Sequence, residues 1–455
     1  MEELDEKVKE LLTKKTLALF LRPRGHGKTF FLKKLERYFA QERKIPVVYL
    51  SFGDRRYTYP SDLDCVVQSA LKTLEIVYCI GKDENCEERD KNISEGERFA
   101  RCITAIKEKT GKKCAILIDD YDFPLLDDNA DENAKLHFES VLASLYGALQ
   151  THREYIETAF ITGSFRQKSI LQYAKADDVS ENEELSACFG LKESAIADFA
   201  RGDETKAKKL IDWYGGYEHN NCNAYSVISA LNTDIIRHYT LAENEVQKAI
   251  ENILLSSFDF SLLLQQNGVE CSEEGFFLYD NCSISPLPYL YQAGIVTKIK
   301  NIEQFCAENT YFLSFPNKEM RDVFFTECAR RLLSIKTHDI KMWAIDALRD
   351  IENDELRAFF TKVNGALKNI CAKQLRDALT TIFGLFSIYT NSYFCNGYFS
   401  VETPTYLHIF AFDLVSMQNA ADRIYVNTFA SGNKKVKKTG VLINSEKGVI
   451  SYRTM

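Results

Sequence analysis

The stretch that decides the fold is a short apolar run, Leu17-Ala18-Leu19-Phe20-Leu21, followed by the loop Arg22-Pro23-Arg24-Gly25-His26-Gly27-Lys28-Thr29. A continuous apolar run of this length, bounded by charged residues, predicts a strand that is buried on both faces. After the loop, Phe31, Leu35 and Tyr38 repeat at helical spacing, which indicates a helix with one apolar face. The stretch therefore predicts a strand, a loop and a helix in direct succession.

Residues 22–29 have the composition of a loop that binds phosphate at the N-terminus of a helix. Backbone N–H groups and the helix dipole attract phosphate oxygens at such a position. Lys28 would reach the terminal phosphates, and the hydroxyl of Thr29 would ligate Mg²⁺. The match is degenerate, because Arg22 stands where the full pattern has its first glycine. The alternative is a plain strand-to-helix turn whose glycines serve only as hinges, and the strand–loop–helix context favours nucleotide binding over it.

An acidic motif lies further along the chain, where a third predicted strand, residues 113–120, ends in Asp119 and Asp120. A carboxylate at the end of a buried strand can hold Mg²⁺ through water, and the next one can polarise an attacking water. A fourth strand, 158–162, ends in Thr162, which could position that water. The plainer alternatives are an acidic turn and an ordinary β-branched strand residue.

Predicted strands and helices alternate through the first 190 residues. The strands are at 16–21, 47–52, 113–120 and 158–162, and the helices between them include 61–78, 94–109 and 133–151. This alternation predicts a parallel sheet with right-handed crossovers, and the order is typical of ATPases with an additional strand. The pattern then becomes mainly helical, at 191–213, 224–237, 243–257 and 318–334, and a strand-rich tail follows from about 398.

The composition excludes several classes of protein. A length of 455 residues predicts two to four domains, and a net charge of -8 argues against general coating of nucleic acid, although a local basic surface remains open. The 13 cysteines include no C-x-x-C pair, which favours free thiols over a zinc site. The acidic N-terminus and the short apolar runs predict a soluble, cytoplasmic protein that does not enter a membrane.

These motifs resemble those of bacterial-type AAA-ATPase-like proteins that usually carry a C-terminal PD-(D/E)XK nuclease-like domain. The family loop usually reads Arg-Pro-Arg-Arg-Phe-Gly-Lys-Ser, against residues 22–29 here, and its acidic motif reads Ile-Asp-Glu-Tyr-Asp-x-Pro, against 118–124. The resemblance covers nearly the whole chain. Further similar segments are 160–166, 189–191, 213–217, 226–227, 291–294 and 315–319.

The resemblance implies ATP and Mg²⁺ as ligands and assigns roles to individual residues. Nucleotide binding falls to Arg24, Gly25, His26, Gly27, Lys28 and Thr29. Metal binding falls to Thr29 and Asp119, and catalytic or sensing roles fall to Asp120, Thr162 and Arg166. Asp120 replaces the glutamate of the family and withdraws the carboxylate by one methylene. Because a displacement of about 1 Å can cost on the order of 100-fold in rate, we expect binding to survive and hydrolysis to be weakened.

The C-terminal segment departs from the family at the residues a nuclease needs. The family strand commonly reads Tyr-Ile-Phe-Glu-Phe-Lys, and the matching run here, 407–413, has Ala411 for the carboxylate and Asp413 for the lysine. Glu402 is the other acid nearby. We therefore expect a retained nuclease-like fold with an inactive site. The basic run 434–438 is expected to be a solvated turn, with contact to a phosphate backbone as the alternative.

Together these inferences predict an α/β protein in three parts. They are a P-loop NTPase core with a parallel sheet and an additional strand (1–190), a helical middle domain (191–335), and a small α/β nuclease-like domain (336–455). The expected function is binding of ATP with slow Mg²⁺-dependent hydrolysis. The alternatives are a nucleotide-stabilised scaffold for a protein partner and, less favoured, an active DNA nuclease. The oligomeric state stays open.

Overall fold

A computed structural model describes most of the chain. The described residues are 8–10, 12, 16–53, 55–78, 80, 93–127, 129–167, 172–240, 244–272, 286–299, 310–395, 397–413, 434–444 and 449–454.

The first part of the chain forms a five-stranded sheet in which every neighbouring pair is parallel. Its strands are β1 (Leu17–Leu21), β2 (Val47–Ser51), β3 (Cys114–Asp119), β4 (Ile156–Gly163) and β5 (Asp177–Asp178). The order across the sheet is β2-β3-β4-β1-β5, so β4 is inserted between β1 and β3, and β2 lies at one edge. The predicted α/β class and parallel sheet are confirmed.

Helices cover both faces of this sheet. They are α1 (Lys28–Arg37), α2 (Pro60–Val77), α3 (Glu95–Thr110), α4 (Phe123–Leu126) and α5 (Glu132–Thr151). Alternate side chains of β1 point to opposite faces of the sheet. Leu17 and Leu19 pack with α2, α3 and α5, whereas Ala18 and Phe20 pack with α1. Because both faces are covered, β1 and β3 are buried along their whole length, as their uninterrupted apolar sequences predict.

The chain beyond β5 is mainly helical, and one predicted helix is wrong in extent. Residues 191–213 form two helices because Arg201 and Gly202 adopt positive φ and break the segment. The helices here are α6 (Glu183–Ser186), α7 (Glu193–Phe199), α8 (Glu204–Tyr214), α9 (Ala224–Thr233), α10 (Asn244–Leu255), α11 (Leu287–Gln292) and α12 (Lys318–Leu332). The short strands are β6 (Leu191–Lys192), β7 (Asn221–Cys222), β8 (Val269–Ser272), β9 (Thr297–Lys298) and β10 (Thr310–Ser314).

The C-terminal part packs three helices on a five-stranded sheet. The helices are α13 (Ile340–Glu352), α14 (Leu356–Ala366) and α15 (Leu375–Phe386). The strands follow their chain order: β11 (Tyr393–Cys395), β12 (Tyr398–Glu402), β13 (Tyr406–Asp413), β14 (Lys435–Asn444) and β15 (Val449–Thr454). Strands β13 and β14 are parallel and the other pairs are antiparallel. One apolar cluster joins this part to earlier segments, with members from Leu126 to Val441.

The expectation of a solvated turn at 434–438 is wrong, because β14 begins at Lys435. Two of the lysines are held by acids: Lys434 Nζ lies 2.8 Å from Glu402 Oε1, and Lys437 pairs with Asp354. Among the described residues, no helix is long and apolar enough to cross a membrane.

Candidate functional site

Hydrogen bonds to its backbone carbonyls hold the loop at 22–27 in place. Lys28 Nζ donates to the carbonyls of Arg22 (2.9 Å) and Pro23 (3.4 Å). The next three carbonyls accept from a distant segment: Asn223 Nδ2 to Arg24 O (3.3 Å), Tyr225 N to Gly25 O (3.1 Å) and Gly190 N to His26 O (2.7 Å). Every carbonyl from residue 22 to residue 26 therefore has a donor.

The N–H groups of the same loop, unlike its carbonyls, include several that make no hydrogen bond within the described residues. Within the described part of the chain, the backbone N–H groups of Gly25, His26 and Gly27 have no acceptor. Gly25 and Gly27 have φ of 79° and 82°, a region that favours glycine. Gly27 is also the N-cap of α1 and supplies no side-chain cap to the first helical N–H groups. Donors left open beside a helix N-terminus fit a bound phosphate.

Lys28 connects the loop to the end of β4. Its side chain is only 6% exposed, and Nζ donates to Ser164 Oγ at 3.0 Å in addition to the loop carbonyls. Asp120 Oδ1 lies 3.7 Å from the same nitrogen. The ammonium group thus lies between the loop and the acidic end of β3.

Asp119 is buried, with both carboxylate oxygens bonded. Tyr49 donates its hydroxyl to Oδ2 and Thr162 donates its hydroxyl to Oδ1, each at 2.9 Å. Burial, followed by the charge of Asp119, raises the pKa of Tyr49, so the phenol remains a donor. The structure brings together Asp119 and Thr162, which the sequence placed on separate strands.

Asp120 has an unusual backbone, with φ of 51° directly after β3. Left-handed conformation is uncommon outside glycine and is often retained at functional sites. Its carboxylate lies against Gly53, where a Cβ would come within 2.4 Å of Oδ2. Gly53 was not predicted to contribute, and it is the absence of a side chain there that makes room for Asp120.

Asp122 is a further member of the site that sequence reasoning did not assign, although it lies in the acidic motif. It is buried and accepts the backbone N–H groups of Ser164 (2.9 Å) and Phe165. Burial raises the pKa of Asp122 to about 7, while those N–H groups and Lys28 oppose the rise. Asp122 therefore holds the segment after β4 in place beside Lys28.

The two predicted arginines have partners outside this arrangement, and Thr29 is exposed. Arg166 forms an ion pair with Asp178, and its backbone N–H donates to Gln292 Oε1 at 2.7 Å. The Arg24 guanidinium lies over the ring of Phe123 at 4.9 Å. Thr29 is exposed in the first turn of α1.

His26 is buried on the other side of the loop, with 4% of its surface exposed. Its ring meets the edge of Tyr217 at 4.5 Å, and its Nε2 has no hydrogen-bond partner among the described residues. Burial, then the charges of Arg22 and Lys28, lower the pKa of His26 to about 3, so the imidazole is neutral at physiological pH.

A cleft that is partly open to solvent adjoins His26. It separates the loop and the ends of β1 and β4 from the segments that follow β5. The lining residues include Arg22, His26, Phe189, Tyr217, Asn221 and Tyr291.

In the C-terminal sheet, Ala411, where the sequence resemblance suggested a lost carboxylate, lies in an apolar surface. Ala411 is buried with Leu407 and Ile409 on one face of β13. Glu402 pairs with Lys434, whose hydrogen bond lowers the pKa of the carboxyl group. The side chain of Asp413 lies outside the described part of the structure. No group of three or more His, Cys, Asp or Glu able to hold a metal occurs among the described residues.

Two comparisons with known proteins bear on the chain, one over the first sheet and one over a longer part of it. Residues 6–171 match the model of the AAA-ATPase-like family, described as a predicted AAA-ATPase. The chain is also 24% identical over 341 residues to a protein of Azotobacter chroococcum mcd 1 named "Uncharacterized protein in vnfD 5'region". That alignment covers 69% of this chain and 63% of the relative, less than two thirds of the relative's length. The matched range 6–171 contains the loop, the acidic motif and β4, so this part of the chain is similar to AAA-ATPase-like proteins, a similarity that supports nucleotide binding.

Proposed function

We propose that the protein binds Mg-ATP at residues 22–29 and hydrolyses it slowly. The observation that carries this proposal is the state of the loop. Its carbonyls already accept hydrogen bonds from other parts of the protein. The N–H groups of Gly25, His26 and Gly27, in contrast, have no acceptor in the described part of the chain. A loop with this polarity at a helix N-terminus attracts anions.

Different residues of the loop would contribute to phosphate binding in different ways. Lys28 Nζ would exchange its bonds to loop carbonyls and Ser164 for bonds to phosphate oxygens. Gly25 and Gly27 keep the loop free of side chains that would fill it. Arg24 would add positive charge at the rim once it leaves Phe123.

The Mg²⁺ site would comprise Thr29 and Asp119. Mg²⁺ usually keeps several waters and takes one or two protein ligands besides phosphate, which agrees with so small a set. Tyr49 and Thr162 already bond both oxygens of Asp119, which favours contact with the metal through water. A bound Mg²⁺ would neutralise charge on the phosphate oxygens.

Hydrolysis would depend on Asp120 as the base that orients and deprotonates water. Its ion pair with Lys28 has to loosen first, and Lys28 would be drawn away by phosphate. Thr162 would assist in positioning the water, and Arg166 could act as a sensor only after leaving Asp178. Steady-state release of phosphate tests these roles: we expect slow turnover in the native protein, less in Asp120→Asn, and none in Lys28→Ala. Equal turnover in all three would overturn the proposal.

A second candidate is a nucleotide-stabilised scaffold for a protein partner, without turnover. The observation in its favour is the pairing of both proposed catalytic charges, Asp120 with Lys28 and Arg166 with Asp178. Bound ATP together with turnover equal to that of Asp120→Asn would favour this function over hydrolysis.

We propose that residues 336–455 form a nuclease-like domain without a working metal site, after a core at 1–190 and a middle domain at 191–335. The parallel pair β13–β14 inside a mixed sheet supports the comparison with nucleases. Ala411 among apolar neighbours and the pairing of Glu402 with Lys434 argue against metal binding there.

A further inference from the structure

Three consecutive peptide groups of the phosphate loop, residues 22–29, have one bonded end and one open end. Their carbonyl oxygens accept hydrogen bonds from a distant segment, from Gly190, Asn223 and Tyr225. The N–H groups of the same peptides belong to Gly25, His26 and Gly27 and have no acceptor among the described residues. Because hydrogen bonds at the two ends of a peptide group polarise one another, an anion bound to these N–H groups would strengthen the bonds to the distant segment.

The distant segment continues into α9, which begins beside the loop. Ser226, in the first turn of this helix, is fully buried, and its hydroxyl donates to Glu319 Oε1 of α12 at 2.9 Å. The backbone N–H of Tyr239 donates to the same oxygen at 2.8 Å. The side chain of Glu319 is itself buried, with 0% exposed. Helix α9 is therefore bonded to the loop at its start and to a buried carboxylate within its first turn.

The stability of the fold does not by itself account for a carboxylate at position 319. Desolvation of a buried carboxylate is unfavourable, and apolar side chains of similar volume often stabilise such a position equally well or better. A hydrogen-bond acceptor adds direction, because its bonds weaken when the donor moves out of line. Glu319 therefore ties α9 to one orientation relative to α12.

Helix α12 extends this series of contacts to the C-terminal part. Asp322, three residues after Glu319, is also fully buried. It accepts a hydrogen bond from Lys341 Nζ of α13 at 2.8 Å, and His238 Nδ1 lies 2.9 Å from the same oxygen. Hydrogen bonds thus lead from the phosphate loop through α9 and α12 to the first helix of the C-terminal part.

We propose that Glu319 is a positioning residue of the phosphate loop and couples phosphate binding to the packing of α12 and the C-terminal part. Bound phosphate strengthens the bonds that hold α9 to the loop, and Glu319 transmits the position of α9 to α12. Coupling of this kind is reciprocal, so a well-packed α12 also favours phosphate binding. The proposal rests on the proposed function, because it requires that the loop bind phosphate.

Two substitutions of Glu319 separate its role as an acceptor from its size. Glu319→Met keeps the length of the side chain and removes the acceptor, whereas Glu319→Gln keeps an oxygen that can accept from both Ser226 and Tyr239. In calorimetric titrations with Mg-ATP, we expect Glu319→Met to lose at least about 5-fold in affinity and Glu319→Gln to lose less. Native affinity in Glu319→Met, or an equal loss in the two variants, would overturn the assignment.

A matched control is available on the same helix. Glu327 of α12 is 4% exposed, and its hydrogen bonds go to Arg330 and Arg331 within the helix. Glu327→Met therefore makes the same change at a buried acid without touching α9, and it should lower stability but keep native affinity for Mg-ATP. An affinity loss equal to that of Glu319→Met would mean that general destabilisation is the cause and would overturn the assignment.

Hydrogen exchange followed by mass spectrometry tests the reciprocal effect. Saturating Mg-ATP should slow amide exchange in α12 of the native protein, and the slowing should be smaller in Ser226→Ala at equal saturation, because the donor to Glu319 is gone. Equal slowing in the two proteins, or none in the native protein, would overturn the coupling. If Lys28→Ala abolishes binding of Mg-ATP while Glu319→Met binds it as the native protein does, the proposed function stands and the coupling fails. If the native protein binds no Mg-ATP, both fail.

Discussion

Substitution of Gly25 by alanine tests whether the phosphate loop depends on the segment that packs behind it. Gly25 has φ of +79°, and a Cβ there would lie 2.4 Å from Asn223 Oδ1. Asn223 is 2% exposed, so other atoms of the protein surround its side chain. Its Oδ1 accepts the N–H of Ser226 as the cap of α9, and its Nδ2 donates to Arg24 O. The new methyl group would therefore have to displace both bonds.

The size of the effect follows from those contacts. A left-handed conformation costs alanine about 1–2 kcal/mol. Loss of the cap costs about 1 kcal/mol, and loss of the second hydrogen bond about another 1 kcal/mol. Gly111 is a matched control, because its φ is +71° and a Cβ there would meet nothing within 4 Å. Gly111→Ala should thus show the backbone cost alone, which leaves about 2 kcal/mol for the contact with Asn223.

Thermal unfolding of the two alanine variants measures this difference. About 2 kcal/mol corresponds to a midpoint about 4–8 °C lower for a unit of 150–250 residues. The double variant Gly25→Ala/Asn223→Ala should lose less than the sum of its single variants, because the smaller side chain clears the clash. If Gly25→Ala is no less stable than Gly111→Ala, the loop does not depend on Asn223 and the reasoning is wrong.

Two further predictions concern acid stability and nuclease activity. Burial lowers the pKa of His26 to about 3 and that of His408 to about 4, from an ordinary 6.5. The unfolded chain therefore takes up these protons first, so stability is full above pH 6.5 and falls below it, by about 2 kcal/mol for each histidine at pH 5. His408→Leu should lose less stability than the native protein between pH 7 and pH 5 in urea titrations, and equal losses would contradict this. Plasmid DNA incubated with Mg²⁺ or Mn²⁺ should stay intact, and cleavage that disappears in Glu402→Ala would show an active site after all.

The parts of the fold that rest on local pattern could be predicted from the sequence. Strands 17–21 and 114–119 are buried on both faces because helices cover the sheet. Such strands have continuous apolar runs, which can be recognised within each strand without knowledge of the rest of the fold. The phosphate loop and the acidic motif were found for a similar reason, since their chemistry depends on residues adjacent in the chain. The prediction of one helix over 191–213 is wrong at Arg201, because helical periodicity does not reveal that this residue adopts a positive φ.

The contacts that complete the site were not predictable in this way. Asn223 reaches Arg24 across 199 positions of the chain, and no spacing rule relates two such residues. Gly190 N likewise donates to His26 O from a remote segment of the chain. The lysine-rich run at 434–438 suggested a turn, because charge alone does not reveal a strand in which a lysine such as Lys437 pairs with an acid.

Calorimetric titration of Mg-ATP into the native protein and into Lys28→Ala tests the central claim most directly. The claim is that the loop at 22–29 holds the phosphates, with Lys28 moving from the loop carbonyls to the nucleotide. We expect saturable binding to the native protein and a loss of affinity of at least about 100-fold in Lys28→Ala, because charge-assisted bonds of this kind contribute about 1.5–3 kcal/mol each. Equal binding of Mg-ATP by the two proteins would contradict the account.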